Sequence, residues 1–390
     1  MKIEPFALER WMTTYEMKVG FDIAESGIFP MTIQELLQLE ATGNANDALD
    51  QLLNLRLGYS EAPGSAELRR LLADTYAATG EEEILVTTGA IEANFLLFNV
   101  LLEAGDHVVV VHPCYQQLES VPKAIGCDVS RWNVRNDGES RFEMSDLEEL
   151  VTSQTRLIVI NSPHNPTGAV LSDAQLRQVY AIAESIGATV LSDEAYRWLS
   201  IPGEEALPPP VRNLGDRGVS VGTFSKPFGL PGIRIGLIAA PADLVAKCWA
   251  MRDYVSLSPG KLNDALAVMA LKQREKINER TQRILAANLE TADRWFAKHA
   301  ELASWNRPRG GLLSLLRYNV DMPSLALANH LAEEFGVMLA PGAAFGFEGH
   351  LRIGIGQEPA IFAEGLERTA RCLNALQSAD ALATAGAAGR

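Results

Sequence analysis

From residue 83 onward, short unbroken apolar runs alternate with longer stretches in which apolar residues recur every three or four positions. The runs are EILV before Thr87, VVVV at 108–111, RLIVI at 156–160, ATVL at 188–191 and the segment GVSVG at 218–222. Unbroken runs of this length predict strands covered on both faces, as in a mostly parallel sheet. IEANFLLFNVLLEAG at 91–105 and SDAQLRQVYAIAESIG at 172–187 carry the helical period, and Ser172 stands where it can cap the second. Strand and helix therefore alternate, which is the pattern of an α/β fold with helices on both faces of the sheet.

Residues 45–275 are expected to form this large domain. Beyond it lie a long helical tract at 262–299 and the shorter strand-like runs GGLLSLLRY, VMLAPG and HLRIGIG. These predict a smaller α+β domain over 276–390, which the N-terminal segment 1–44 returns to join. No internal repeat is present.

Composition narrows the function classes. A 390-residue chain with 47% hydrophobic residues has ample capacity for buried cores. Its net charge of −15 argues against nucleic acid or an anionic membrane as partner, since both require a positive face. Cys114, Cys127, Cys248 and Cys372 are far apart and form no CxxC pair, so they are expected to be buried free thiols of a cytoplasmic protein, with no metal cluster. No stretch is long and apolar enough to predict a membrane span.

In an open parallel sheet, ligands bind beyond the carboxyl ends of the strands. Four polar clusters fall there. Thr88, Gly89 and Ala90 open a helix, whose free N–H groups suit a phosphate. Asn165 lies in the loop NSPHNPTG, Asp193 and Tyr196 follow ATVL, and Lys226 follows GVSVG within TFSKPFGLPGIRIG. Singly, each has an ordinary use as a cap, a turn or a solvated charge. Together and in this order they do not.

The ordered set runs from Tyr59 with Gly64 and Leu68-Arg69 through Thr88-Gly89-Ala90, Tyr115, Asn165-Pro166-Thr167-Gly168, Asp193 with Tyr196, Thr223-Phe224-Ser225-Lys226 and Arg234-Ile235-Gly236 to Arg352. It resembles the fold type I pyridoxal 5′-phosphate enzymes, in particular the class I/II aminotransferases, over nearly the whole chain. The resemblance implies that Lys226 joins the cofactor aldehyde through its amine and later shuttles the substrate proton, because only an amine can do both. It implies that Asp193 pairs with the pyridine nitrogen, that Asn165 and Tyr196 bond the phenolate oxygen, and that Tyr115 stacks on the ring. Thr223, Ser225 and Arg234 would face Gly89 and Ala90 across the phosphate, with Thr223 keeping the hydroxyl of the family's serine. Tyr59 would reach the phosphate of a neighbouring subunit, implying a homodimer with shared sites.

The same resemblance assigns Arg352 to the α-carboxylate of an amino-acid substrate and the Gly27 region, DIAESGIFP, to a segment folded over that substrate. Asp22 and Glu25 add negative charge there. The cofactor motifs are common to transamination, elimination and cyclisation. The segment LERWMTTYEMKVGFDIAESGIFPMTIQELL is similar to the capreomycidine synthase-like cyclases, in which a hydroxylated arginine loses its hydroxyl and its guanidine closes a ring. SDEAYRWL keeps the tyrosine of ordinary aminotransferases. Amino-group exchange between an amino acid and a 2-oxo acid ranks first, and elimination or cyclisation of a hydroxylated arginine second.

Overall fold

The computed structural model describes residues 2–39 and 45–388, so the boundary expected at residue 44 lies outside the described residues. Its centre is a seven-stranded sheet in the order Ile84–Thr87, Gly236–Ala239, Gly218–Thr223, Thr189–Asp193, Thr155–Asn161, His107–His112, Asp128–Asn133. All neighbours are parallel except Gly236–Ala239, which runs antiparallel to the strands on both sides. That reversal was not legible in the apolar runs. A turn of 3₁₀ helix at Pro231–Ile233 folds the chain back immediately after the Thr223–Lys226 stretch.

The strands are buried because their side chains meet helices on both faces, and the helices begin and end where the sequence provides caps. Ser172 accepts the Gln175 N–H in a reciprocal capping box, and Gly187, at φ 78°, ends the helix Asp173–Ile186 in the left-handed conformation that glycine adopts without strain.

A second core gathers chain ends. An antiparallel sheet in the order Ala303–Trp305, Leu313–Tyr318, His350–Gly354, Ala340–Pro341 packs with helices Arg274–Lys298, Ser324–Phe335 and Pro359–Ala388. Strand Phe21–Asp22 pairs in parallel with Val337–Met338, and helix Ala7–Tyr15 buries Leu8, Trp11 and Met12 in the same core. The spacing of those three residues is that of one helix face. An aromatic such as Trp11 removes roughly 150–250 Å² from water, about 4–6 kcal/mol before entropy is counted. The Trp11 indole N–H also reaches Asn329 Oδ1 at 2.8 Å, so burial leaves no unpaired donor on it.

The expected single helical tract breaks at Gln273. Lys261–Lys272 packs on the large sheet, whereas Arg274–Lys298 sends Leu285, Leu289, Ala292, Trp295 and Phe296 into the second core. All four cysteines are free, and Cys127 corrects the expectation of full burial: it lies half-buried where the chain enters the edge strand Asp128–Asn133. Among the described residues no helix is long and apolar enough to cross a membrane, and no group of three or more His, Cys, Asp and Glu side chains is arranged to hold a metal ion.

Candidate active site

The carboxyl ends of neighbouring strands meet at one pocket. Asn161 and Asp193 are register partners on adjacent strands, and Asn161 Nδ2 donates to the Asp193 carbonyl at 2.8 Å. Asn161 Oδ1 accepts the Asn165 N–H at 2.7 Å, which fixes the loop that carries Asn165. Asp193 is buried; its carboxylate accepts from Asn94 Nδ2 at 2.9 Å and from the Ala195 N–H at 3.1 Å. Burial pushes this carboxyl upward, while Asn94, the Ala195 N–H and the charge of Lys226 pull it down. No side-chain cation forms an ion pair with it among the described residues. Asn94 was not anticipated, although an amide in the midst of the apolar helix Ala90–Leu101 must find a partner.

Across the pocket, Lys226 extends toward the N-terminal segment. Its Nζ donates to Ser26 Oγ at 2.7 Å and to Glu25 Oε1 at 3.4 Å. Burial pushes the amine down, but Glu25 and Tyr196 outweigh it and hold the amine above its ordinary value. Reciprocally, Lys226 holds the Glu25 carboxyl below the usual range. Asp22 moves the opposite way, up to about 6, through burial and the neighbouring Glu25 charge, while its carboxylate caps the Ala24 and Glu25 N–H groups at 2.9 and 3.1 Å. Gly27 lies against the lysine loop, where an added Cβ would stand 3.3 Å from the Ser225 carbonyl.

Arg352, on strand His350–Gly354, is only 2% exposed and reaches the same pocket from the second core. Its Nη1 donates to Asn165 Oδ1 at 3.2 Å and its Nη2 to the Ala24 carbonyl at 2.8 Å, which leaves Nε without a partner. Burial lowers the guanidinium's affinity for its proton, opposed by Tyr196, Glu25 and Asp22. A buried guanidinium with an unused N–H is a site for an anion.

The remaining expected residues form a cradle on the sheet side. Thr223 Oγ1 donates to Ser225 Oγ at 3.1 Å and accepts the Ser225 N–H at 3.1 Å; Arg234 Nη1 donates to Ser225 Oγ at 3.3 Å. The Arg234 guanidinium lies so close over Gly89 that a Cβ there would come within 2.5 Å of Nη2, and Ala90 starts the helix beside it. The Thr88 N–H is already engaged, by Glu92 Oε2 at 2.5 Å. Tyr115 is half-buried next to Phe6, ring centroids 4.7 Å apart, and its hydroxyl donates to Glu9 Oε1 at 2.8 Å. Tyr59 is not brought to this pocket by its own chain: it is 87% exposed, and the nearby large side chains Leu53 and Leu57 are exposed as well.

A sequence profile of the aminotransferase class I and II family matches residues 32–368. The chain belongs to this family. Within it, the chain is similar to capreomycidine synthase of Streptomyces vinaceus, 30% identical over 351 residues that cover 89% of this chain and 88% of that protein. It is also similar to the arginine–pyruvate transaminase of Pseudomonas aeruginosa, 29% identical and covering 83% and 84% of the two chains. The crystal structure of a PLP-dependent aminotransferase from Streptococcus suis superposes with a TM-score of 0.91 at 34% identity, covering 96% of this chain and 99% of that one. The cofactor of this aminotransferase is pyridoxal 5′-phosphate. The pocket fits that group on its own terms, with a buried carboxylate that has no ion-pair partner among the described residues, a hydroxyl and guanidinium cradle closed by a glycine, and a lysine amine whose charge acts on the carboxylate.

Proposed function

We propose that the chain uses this pocket to exchange an amino group between an amino acid and a 2-oxo acid, with the site residues in the roles the family resemblance gives them. The observation that carries the reading is Arg352, a buried guanidinium with a free N–H, held by Asn165 and Ala24 in the pocket that Lys226 enters. An α-carboxylate paired there would bring the adjacent carbon toward Lys226.

When bound, pyridoxal phosphate supplies an aldehyde that couples to an amine and a ring that accepts electron density from the carbon beside it. Thr223, Ser225, Arg234 and the N-terminus of helix Ala90–Leu101 would hold its phosphate, with Gly89 admitting the guanidinium. Asp193 would meet the ring nitrogen and keep it protonated, with Asn94 holding the carboxylate in place. Asn165 and Tyr196 would bond the ring oxygen, and Tyr115 would cover the ring face. Lys226 would hold the cofactor through its amine and, once the incoming substrate amine has freed it, would take up the proton at the substrate's α-carbon, for which the freed amine must be unprotonated. The N-terminal segment around Gly27 closes over the substrate and excludes water.

Glu9, Asp22 and Glu25 give the substrate side of the pocket a negative character, which supports a cationic side chain and agrees with the arginine named for the Pseudomonas relative. The likeness to capreomycidine synthase supports a second reading, elimination or cyclisation of a hydroxylated arginine with no amino acceptor. Incubation with arginine, its hydroxylated forms, alanine, glutamate and aromatic amino acids, each with and without a 2-oxo acid, separates the two by mass spectrometry. Oxo acid formed in step with acceptor consumption upholds amino transfer. Dehydration to a cyclic amino acid without acceptor overturns it.

The exposure of the large side chains Leu53, Leu57, Tyr59, Tyr254 and Leu257 supports a homodimer in which Tyr59 completes the phosphate cradle of the other subunit. The division into 1–44, 45–275 and 276–390 belongs to the same reading, supported by the packing of Leu8, Trp11 and Ile23 with the C-terminal sheet. Four free cysteines support a cytoplasmic protein.

A further inference from the structure

Ser26 is the group nearest the lysine amine. Its segment is fastened to the lysine loop, with the Ile28 N–H on the Lys226 carbonyl at 3.1 Å, and to the second core, with the Phe29 N–H on the Gly356 carbonyl at 2.7 Å. Lys226 Nζ donates to Ser26 Oγ at 2.7 Å, a shorter contact than its 3.4 Å approach to Glu25. The Tyr196 phenol, buried beside the pocket, acts on the same amine through its charge.

We propose that Ser26 is a positioning residue for the lysine: its hydroxyl is the resting point of the free Lys226 amine and holds it on the substrate side of the pocket, away from Glu25. The proposal rests on the reading of Lys226 as the residue that carries the cofactor and the proton. A neutral amine can satisfy Ser26 with one N–H and keep its lone pair for the substrate. A protonated amine has additional donors and can also engage Glu25. With the hydroxyl removed, Glu25 becomes the main partner, and an amine held by a carboxylate gives up its proton less readily. The charged and titratable groups facing the amine are Glu25, Tyr196, Arg352 and Asp193.

The test compares Ser26→Ala and Ser26→Thr in the cofactor-loaded enzyme. Ser26→Ala is expected to lower kcat on the order of 10- to 100-fold, part of what a positioned proton carrier contributes. It should leave KM within about threefold. The acid limb of the kcat profile moves to higher pH, because the amine stays protonated further up the scale. The deuterium isotope effect on an α-deuterated substrate rises, and the pH midpoint of the bound cofactor's visible absorption shifts while its Kd does not. Ser26→Thr restores the hydroxyl and recovers most of the rate. Wild-type kcat, isotope effect and absorption midpoint in Ser26→Ala would overturn the proposal, as would a rate loss that Ser26→Thr fails to recover. Lys226→Ala checks the underlying reading separately: if it kept turnover, the reading of Lys226 would fail whatever Ser26 does.

Discussion

Gly89→Ala tests the phosphate cradle where the geometry is most restrictive. Gly89 has φ 79° and ψ 167°, a region that only glycine occupies comfortably. An alanine there carries a strain on the order of 1–3 kcal/mol. The larger effect is local. The new Cβ would lie within 2.5 Å of Arg234 Nη2 and 3.3 Å of its Cζ, so the guanidinium has to leave Ser225. A hydrogen bond to a charged group contributes about 1.5–3 kcal/mol, so losing one guanidinium contact with the phosphate weakens the cofactor's Kd by roughly 10- to 150-fold. Titration of the cofactor-free protein, followed by the change in visible absorption, measures this.

The control is Gly126→Ala. Gly126 also has a positive φ, 106°, but it ends the helix Gln117–Ile125 with only Ala104 nearby. It should lower Tm without changing cofactor affinity. The reasoning fails if Gly89→Ala loses Tm as Gly126→Ala does while its cofactor Kd stays within threefold of wild type, since strain would then be the whole effect.

Arg352→Ala should lower kcat/KM for amino acids by roughly 30- to 5,000-fold, the equivalent of about 2–5 kcal/mol for a desolvated charge pair. An amine substrate lacking the carboxylate should react equally with both enzymes, and equal losses on both substrates would refute the carboxylate assignment. Asp22 titrates at about 6 in the folded protein against 3.8 for the ordinary group, so the folded state binds the extra proton and Asp22's contribution to stability falls as pH rises through about 4 to 6. Asp22→Asn, which can still cap Ala24 and Glu25, should therefore stabilise the protein at pH 8 and have little effect below pH 4; urea unfolding at both pH values checks the sign. If Tyr59 completes the other subunit's site, activity should fall with the dimer population on dilution followed by sedimentation, and a fully active monomer would rule that out.

Several of the residues proposed to hold the cofactor were legible as candidates because they follow the end of a buried strand, where an apolar run stops and polar side chains gather. Asp193 after ATVL and Lys226 after GVSVG are the clearest cases. Residues that support them from a distance were not. Ser26 lies 200 positions from Lys226, and Glu9 lies 106 from Tyr115. The pairing of Phe21–Asp22 with Val337–Met338 and the packing of helix Ala7–Tyr15, contacts between distant parts of the chain, bring that segment over the pocket. Asn94 left a local signal, an amide inside an apolar helix, that names no partner. The direction of strand Gly236–Ala239 was hidden for another reason: a buried strand looks the same in composition whichever way it runs.

The charges around the pocket bear on the substrate independently of the reaction type. Lys226 is the nearest cation to Glu25, and a lysine joined to an aldehyde no longer offers Glu25 the same ammonium at 3.4 Å. At that separation the bare Coulomb attraction is about 5 kcal/mol at an effective dielectric of 20, reduced by the solvent that reaches both side chains. Arg352 cannot replace it fully, because an α-carboxylate would take its free N–H. Burial and the neighbouring Glu25 charge hold the Asp22 proton on up to about pH 6. A substrate that brings its own positive charge relieves both carboxylates, whereas a neutral or acidic side chain leaves them facing each other. Transamination of arginine and cyclisation of a hydroxylated arginine would both satisfy this balance, so on the proposed reading the acidic N-terminal segment would favour a class of substrate without deciding the reaction. The choice between the two reactions then lies with whatever sits beyond the substrate's β-carbon: a leaving hydroxyl on the substrate itself, or the 2-oxo acid that takes its place after the first half of the exchange.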